Sequence, residues 1–343
     1  MSGGVDSAVA AALLRDQGHD VEGVTLKLWG GKSDSGCCSV SDVEDARSVA
    51  HKLGIAHHVF NYDEAFEELV VDPYVAAHFA GRTPNPCIEC NRHVKFGHLL
   101  RRAMRLGFDA LATGHHARVV PATDAGPARL MRGRDRLKDQ SYVVSMLTAA
   151  ELGRVLFPVG ELDKAEVRRL ADEYGLRVAH KPDSQDVCFV QSRTEKDGRA
   201  ALLAARGGPF HPARLVDVRE GKIVGGLPAR EMVTIGQRRG IGPAADGTRR
   251  YVVGVDAAES IVFVGSAEDL LVEEVALTAR TWTVTPASYG RRVDLQCSAH
   301  GQPVPAVVSE VGVCFVAPAR RVAPGQTVAL YDGDEVLGSG TAA

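Results

Sequence analysis

Hydrophobic and polar positions in the first part of the chain switch between helical and strand periods. Val5 to Gln17 is rich in Ala and Leu and is followed by Gly18, a common helix C-cap, which predicts a helix. Val21 to Trp29 has the pattern of a strand. Ser41 to Glu44 has the spacing of a capping box, and it opens a helix predicted to run to Gly54.

The same alternation continues to about residue 195. Ile55 to Tyr62 has the pattern of a short strand, and an amphipathic basic helix is predicted from Asn91 to Gly107. Phe108 to Thr113 has strand character, and Asp163 to Gly175 that of a capped helix. Strands that alternate with helices form parallel sheets covered on both faces. The sequence therefore predicts an α/β fold, with residues 1–195 as a domain whose ligands bind at the carboxyl ends of the strands.

Beyond residue 195 the pattern changes to short β-branched runs separated by Gly and Pro. Such texture predicts all-β structure, because Gly and Pro interrupt strands and favour turns. We expect a central β-rich domain over 196–266 and a C-terminal β-barrel over 267–343. The candidate strands are 222–224, 250–253, 261–264, 293–297, 306–311 and 327–331.

Composition narrows the compartment and the role of the cysteines. No apolar run approaches the roughly 18 residues of a membrane-spanning helix. Because the start Met1 to Gly4 lacks the basic and apolar regions of a signal peptide, we expect a cytoplasmic protein. The 7 cysteines, an odd number in a chain of 343 residues, argue against a disulfide scaffold. Some of them are expected to serve metal, redox or nucleophilic chemistry.

Positive charge is concentrated in one part of the chain although the net charge is only -3. Between Arg92 and Lys138 there are eleven Lys or Arg residues against three acidic residues, Asp109, Asp124 and Asp135. Such an excess predicts a surface for nucleic-acid phosphates. A set of solvated helix and loop charges is the alternative.

The opening loop carries the sharpest candidate chemistry. It runs Ser2-Gly3-Gly4-Val5-Asp6-Ser7 and leads directly into a predicted helix. Two glycines let backbone amides approach an anion, and a helix N-terminus adds partial positive charge, so a phosphate is the expected ligand. Asp6 is better suited to a metal ion or a fixed amide than to a phosphate. The loop is not a P-loop, because no Gly-Lys-Ser/Thr follows.

This loop resembles the pyrophosphatase loop of the ATP pyrophosphatase superfamily, whose members transfer AMP from ATP to an oxygen of their substrate. Within that superfamily the whole chain is similar to the tRNA-specific 2-thiouridylase family. Six further motifs in order carry the resemblance: Gly81-Arg82-Thr83-Pro84-Asn85-Pro86 leading to Cys90-Asn91, Ala112-Thr113-Gly114-His115, Lys138-Asp139-Gln140-Ser141-Tyr142, Phe157-Pro158-Val159-Gly160-Glu161-Leu162, Asp183-Ser184 leading to Cys188-Phe189, and Gly236-Gln237-Arg238-Arg239-Gly240.

The resemblance implies ATP-dependent 2-thiolation of the wobble uridine of tRNA, with Mg²⁺ as the accompanying ion. Adenylation of the uridine O2 turns a poor leaving group into AMP, which sulfur then replaces. Cys188 matches the persulfide carrier and Cys90 its nucleophilic partner, so a Cys90–Cys188 disulfide would remain to be reduced. Asp6 is included among the catalytic residues. A cysteine desulfurase or a sulfur-relay protein is the expected sulfur donor. The alternative for each cysteine is a structural role, as a buried and unreactive side chain.

Further positions match the family's binding residues. The resemblance places ATP against residues of the opening loop, Leu26 and Gly114. It places tRNA, including the flipped target base, against Asn85, Pro86, Cys87, His115, Lys138, Asp139, Gln140 and Gln326. His116 has no matching role and is expected on the surface, and a structural role is the alternative for His115. Ser298 and Ala299 replace a common Arg-Tyr pair, which puts those RNA contacts in doubt.

Cys87 departs from the family, in which many members carry Asp at this position. It forms Cys87-Ile88-Glu89-Cys90, and with Cys188 three thiols become available. Three cysteines can hold an iron-sulfur cluster, which would carry sulfide in place of a persulfide, and the CxxC spacing also suits half of a zinc site. The persulfide route ranks first and the cluster second.

The start of the chain also departs from the family, whose members begin with a β-strand that feeds the phosphate loop. Here only Met1 precedes Ser2, so we expect either a start codon upstream or a truncated sheet with a weakened ATP site. Two rival functions stay open at this point. One is another adenylating enzyme such as an amide-forming synthetase, against which the paired Cys90 and Cys188 argue. The other is a non-catalytic tRNA-binding protein.

Overall fold

The computed structural model describes residues 1–29, 40–124, 126–183, 187–190, 195–244, 246–283 and 286–343. Its α-helices are α1 (Val5–Asp16), α2 (Val40–Leu53), α3 (Asp63–Phe66), α4 (Asp72–Phe79), α5 (Pro86–Glu89), α6 (Leu100–Arg105), α7 (Ala149–Leu152), α8 (Lys164–Glu173) and α9 (Glu195–Gly207). Two π-helical stretches (Glu67–Val71, Cys90–Leu99) and three short 3₁₀ turns (Ser141–Val144, Arg230–Met232, Glu268–Leu270) complete the helical structure of the described residues.

The strands fall into an N-terminal parallel group and a C-terminal, mostly antiparallel group. They are β1 (Gly23–Lys27), β2 (His57–Asn61), β3 (Leu111–Ala112), β4 (Ala117–Val120), β5 (Arg129–Arg132), β6 (Val155–Leu156), β7 (Ala213–Asp217), β8 (Ile223–Leu227), β9 (Tyr251–Asp256), β10 (Ile261–Gly265), β11 (Leu271–Trp282), β12 (Arg292–Gln296), β13 (Val304–Val308), β14 (Gly312–Arg320), β15 (Thr327–Asp332) and β16 (Glu335–Ala342).

The N-terminal strands are parallel, as the alternation of helix and strand predicts. β1 pairs with β2, and β3 pairs with β6. The α/β fold class is therefore confirmed, although these strands form two separate pairs within the described residues. Helices α1 and α8 pack together over an Ala- and Val-rich cluster that holds the phosphate loop beside the strands.

The basic helix begins one turn earlier than the sequence analysis predicts. It runs without interruption from α5 through the π-helical stretch into α6, so it begins at Pro86 rather than Asn91. Asn85 is its N-cap, and its side chain accepts a hydrogen bond from the amide of Ile88 at 3.3 Å. Pro at the first helical position lacks only an amide that would be unpaired there in any case.

The hairpin of β4 and β5 is an element that the sequence analysis missed. The two strands pair antiparallel, with Ala117 opposite Arg132. β5 then pairs with β16, so a hairpin of the N-terminal part extends the C-terminal sheet. Its side chains pack in one cluster with Tyr331 and Val336, which lie 200 residues further along the chain. Such a distant pairing leaves no local signal in the sequence.

The C-terminal part forms the expected barrel. Its strand order is β11-β14-β13-β12-β15-β16, and a pairing of β11 with β16 closes the ring. A four-stranded sheet, β8-β7-β10-β9, stands between the α/β part and the barrel in the chain. Inward-facing Val, Leu and Ala fill the barrel, as the alternation along its strands requires.

Candidate active site

The loop of residues 2–7 is fixed between two neighbouring elements. The amide of Ser2 donates to the hydroxyl of Ser7 at 3.1 Å, and that hydroxyl donates to the carbonyl of Gly4 at 3.1 Å. Gly3 has φ 71°, and a Cβ there would lie 2.5 Å from the carbonyl oxygen of Asp42 on α2. Only glycine fits this position. Val5 is 3% exposed and anchors the start of α1 in the core, so the loop offers its backbone and hydroxyl groups.

Asp6, in the first turn of α1, is held by two cationic or potentially cationic side chains. The ammonium of Lys164 donates to its two carboxylate oxygens at 2.7 and 2.9 Å. A 3.1 Å hydrogen bond joins Nε2 of His116 to Oδ1 of Asp6. Burial raises the pKa of Asp6, but these hydrogen bonds outweigh it, and the net pKa is lowered. Among the described residues, the side-chain partners of Asp6 are Lys164 and His116.

Lys164 also reaches Asp183, so it joins two acidic residues from distant parts of the chain. Its ammonium lies 2.8 Å from Oδ1 of Asp183. Lys138 and Arg168 contact the same carboxylate at 2.8 and 3.1 Å. Burial raises the pKa of Asp183, but the hydrogen bonds from Lys138 and Lys164 and their charges lower it to about 2. We call Asp6, Lys138, Lys164, Arg168 and Asp183 the charge cluster.

Gly114 follows strand β3 and lies directly against the phosphate loop. A Cβ at this position would come within 2.5 Å of the amide nitrogen of Ser7 and 2.6 Å of the backbone carbon of Asp6. The close approach brings the end of the strand to the N-terminus of α1. This is the carboxyl edge at which parallel sheets bind ligands.

The two adjacent histidines have environments that differ from the expectations. His116 is 3% exposed and bonded to Asp6, so its expected surface position is wrong. The short strand β4 begins immediately after it and turns its ring inward. His115 bonds to the hydroxyl of Thr113 at 2.7 Å and lies between the rings of Phe96 and Phe157. Burial lowers the pKa of His115 well below its ordinary value, so the ring is neutral at pH 7.

The structure brings Cys90 and Cys188 to one apolar cluster. Cys90 is 7% exposed and belongs to the cluster built around Phe66 and Phe189, and Cys188 packs against it with partial exposure. Leu26, expected beside the nucleotide, packs against the same cluster. One apolar cluster therefore contacts Leu26 of strand β1, which is expected to lie near ATP, and also Cys90 and Cys188, which are expected to carry sulfur.

Cys87 lies one helical turn before Cys90 and is exposed. Pro86, the residue before it, is buried. Within the described ranges, no group of three or more His, Cys, Asp or Glu side chains is arranged to hold a metal ion. The three thiols at positions 87, 90 and 188 therefore do not form a preassembled ligand set for a cluster or for zinc.

The segment 138–140 is tied to the site by its own side chains. Asp139 is 5% exposed; it accepts from Arg132 at 2.9 Å and from the amide of Gly133 at 2.9 Å. Its carboxylate therefore shapes the segment from inside. Gln140 accepts from the amide of His116 at 2.9 Å. Lys138, which contacts Asp183, is partly exposed.

Gln326 lies at the junction between the barrel and the α/β part. Its side-chain amide donates to the carbonyl of Cys297 at 2.7 Å. The hydroxyl of Tyr142 donates to the same carbonyl and to that of Thr327, both at 3.0 Å. Burial raises the pKa of the Cys297 thiol to about 12, so this cysteine is structural and unreactive.

Much of the basic stretch proves to be neutralised by acids from elsewhere in the chain. Seven of its eleven cations contact acids that lie outside the stretch: Arg92, Arg118, Arg129, Arg132, Arg134, Arg136 and Lys138. The stretch is less of an open phosphate surface than its local charge count suggests. Ser184, Cys37 and Cys38 lie outside the described residues. Over the described residues, no helix has the length and apolar character needed to cross a membrane.

Sequence reasoning missed Lys164, Arg168 and His116 as members of the site. One signal for Lys164 was available. It occupies the first position of α8, directly after the Asp163 cap, where a cation opposes the helix dipole. A lysine at this position is unfavourable for the helix dipole, which is consistent with a partner for its charge outside the helix.

Two family models match the chain. Residues 1–192 match the model described as a tRNA methyl transferase HUP domain, and residues 272–342 match that of an aminomethyltransferase β-barrel domain.

Curated relatives match over the full length. The tRNA-specific 2-thiouridylase MnmA of Geobacter metallireducens is 44% identical, covering 99% of this chain and 94% of the relative. The enzymes of the same name from Carboxydothermus hydrogenoformans and a Mycobacterium species are 43% and 45% identical, with 99% of this chain and 95% and 96% of the relatives covered.

Proposed function

We propose that this chain, which belongs to the tRNA-specific 2-thiouridylase family, uses ATP to replace the C2 oxygen of the wobble uridine of tRNA with sulfur. The observation that supports this most directly is the joining of three features at one edge of the α/β part. A phosphate loop is held against Gly114, a charge cluster links that loop to Asp183, and Cys90 and Cys188 share one apolar cluster.

ATP binds at the loop with its phosphates facing the amides and hydroxyls of Ser2 to Ser7. The uridine O2 attacks the α-phosphorus, the bond to the β-phosphate oxygen breaks, and pyrophosphate leaves. Lys164 is held by Asp6 and Asp183 so that its charge faces the negative charge that develops in this step. The cluster contains three cations and two carboxylates, so it keeps an excess of positive charge for the phosphates.

Sulfur transfer follows on the activated base. The outer sulfur of a Cys188 persulfide forms a bond to C2, and AMP leaves with the former O2. The Cys90 thiolate then attacks the inner sulfur, so the sulfur–sulfur bond breaks, 2-thiouridine is released, and a Cys90–Cys188 disulfide forms. An external thiol reductant restores both cysteines. The shared apolar cluster supports this role, because it buries Cys90 and packs against the partly exposed Cys188.

The remaining partners are part of the same proposal. The flipped uridine lies near Asn85, Pro86, Cys87 and His115, and tRNA contacts Lys138, Gln140 and Gln326, while Asp139 fixes its segment. Mg²⁺ would be held mainly by the phosphates of ATP, as is usual for this ion, and would offset their negative charge. A cysteine desulfurase or relay protein supplies sulfur, and the reaction takes place in the cytoplasm. The domains divide near residues 195 and 267.

Thiolated tRNA, measured by mass spectrometry after incubation with ATP and a cysteine desulfurase, tests the function. Cys188→Ser and Cys90→Ser are expected to abolish the product while tRNA binding persists. Cys314→Ser is the matched control, since this thiol is partly exposed in the barrel and Glu274, at 3.9 Å, is its hydrogen-bond partner among the described residues. Full turnover in either Cys90→Ser or Cys188→Ser would overturn the assignment.

Iron and acid-labile sulfide analysis after anaerobic purification separates the persulfide from the cluster. Because the three thiols form no preassembled ligand set, we expect an active enzyme without iron. Stoichiometric iron that is lost in Cys87→Ser together with activity would assign the sulfur to a cluster.

A further inference from the structure

The motif at residues 236–240 lines a cavity that the proposed reaction does not use. The cavity has a volume of about 550 Å³ and is lined by Gly236, Gln237, Arg238, Arg239, Tyr251 and Arg320. Its walls come from two parts of the molecule. The motif is a loop that precedes β9 of the four-stranded sheet, whereas Arg320 ends barrel strand β14.

The backbone of the motif is fixed in shape by short hydrogen bonds. The amide of Gly236 donates to Val252 at 2.8 Å, and the amide of Val252 donates back to Gln237 at 2.9 Å. The side-chain amide of Gln237 donates to the carbonyl of Arg239 at 2.8 Å. Gly236 and Gly240, with φ of 83° and 79°, allow the sharp turns on either side of the two arginines. The arginines are therefore presented from a rigid loop.

The arginines of this cavity lack the acidic partners that neutralise the stretch 92–138. Arg238, Arg239 and Arg320 are exposed, and none of them forms an ion pair with a described residue. The guanidinium of Arg320 lies over the ring of Tyr251, 5.5 Å from its centroid. Three unneutralised guanidinium groups and an aromatic ring line this cavity, and together they suit a polyanion that carries planar groups.

We propose that this cavity binds the sugar-phosphate backbone of the tRNA substrate, an assignment that rests on the proposed function. Guanidinium groups pair with phosphate oxygens through two parallel hydrogen bonds, and Tyr251 offers a face to a ribose or a base. Because the walls come from the four-stranded sheet and the barrel, bound RNA also bridges these two parts. The site thus adds affinity for tRNA without contacting the reacting atoms.

The salt dependence of tRNA binding tests the site. The triple variant R238Q/R239Q/R320Q removes three charges and keeps polar side chains of similar length. We expect the slope of log affinity against log salt to fall by about 2–3, and the affinity at about 0.1 M salt to fall roughly 10–100-fold. The variant R238K/R239K/R320K is expected to keep most of the slope. R219Q is the control, because Arg219 lies in the turn between β7 and β8 of the same sheet but is neutralised by Asp269 and Glu268.

Each outcome bears on a distinct claim. If the triple glutamine variant keeps the salt slope and the affinity for tRNA, the cavity does not bind the tRNA backbone. The same conclusion follows if the variant keeps its affinity for tRNA but loses binding of the sulfur-donor protein. Single glutamine variants, each expected to lower the slope by about 1, keep the test valid if the triple variant unfolds. Failure of the unmodified protein to bind or thiolate tRNA would instead contradict the proposed function.

Discussion

At the scale of single residues, Lys164 is the side chain on which most of the site depends. It is the bridge between Asp6, beside the phosphate loop, and Asp183, five positions before Cys188. Its side chain is 13% exposed, so most of its hydration has been replaced by two carboxylates. Because the lysine is already held in place, little free energy is needed to reorient it when negative charge develops on a nearby phosphate.

Lys164→Ala is expected to lower the rate of ATP-dependent thiolation by about 10²–10³-fold, because it removes a fixed positive charge from the adenylation step. The measurement is single-turnover formation of AMP and 2-thiouridine. Arg169→Ala on the same helix is the control, since Arg169 is exposed and contacts only Glu173 among the described residues. Equal rates for both variants would remove Lys164 from the mechanism.

The carboxylate of Asp183 makes stability depend on pH. A carboxyl group whose pKa is lower in the folded than in the unfolded protein stabilises the fold above its unfolded pKa, here 3.8. That contribution is lost as the pH falls toward the folded value of about 2. Asp183→Asn should lower the free energy of unfolding by about 1–2 kcal/mol at pH 7, allowing for solvent screening.

Urea unfolding from pH 7 to pH 3 measures this effect. The difference between Asp183→Asn and the unmodified protein should narrow as the pH drops below about 4. Asp124→Asn, at an exposed acid of a surface turn, should show no such trend. A gap between Asp183→Asn and the unmodified protein that stays constant with pH would mean that the stability difference does not arise from the charge of Asp183.

At the scale of elements, the contact of strand β3 with the phosphate loop fixes the geometry of the site. The resemblance to a family identified Gly114 as a residue beside the nucleotide, and that role stays a prediction. The reason for a glycine became visible only in the structure, where a Cβ would meet the backbone of Asp6 and Ser7. Periodicity predicted α1, α2, α8, most of the basic helix and about half of the strands, because their signals are local. It could not show which loops touch.

Gly114→Ala should therefore weaken ATP binding by at least 10-fold, because the added methyl group pushes the phosphate loop away from the strand. Equilibrium binding of ATP or a non-hydrolysable analogue measures the loss. Gly153→Ala is the control, as a Cβ there would lie 3.7 Å from its nearest neighbour, an ordinary contact. If Gly114→Ala binds ATP normally, the loop is not held in the way we infer.

At the scale of the whole molecule, the α/β part and the barrel share one core. The hairpin of β4 and β5 adds to the barrel sheet, and the hydroxyl of Ser141 bonds to that of Tyr331 at 3.1 Å. The sequence predicted both parts but not the contacts between them, since residues such as Ser141 and Tyr331 are 190 positions apart in the chain. Buried polar contacts at such separations follow from tertiary packing, which no local pattern records.

Tyr142→Phe tests this union, because it removes one hydroxyl that bonds to two barrel carbonyls. Leaving buried acceptors without that donor should cost about 1–2 kcal/mol of unfolding free energy.

The two tryptophans report on the two parts, since Trp29 packs in the apolar cluster that contains Cys90 and Trp282 packs in the barrel core. In the Trp29→Phe variant only Trp282 remains, and in Trp282→Phe only Trp29 remains, so the fluorescence change during urea unfolding of each variant reports on one part alone. A shared core requires Tyr142→Phe to move both transitions together, whereas Tyr289→Phe, at a side chain 68% exposed, should move neither. A shift confined to one tryptophan would show that the two parts unfold independently.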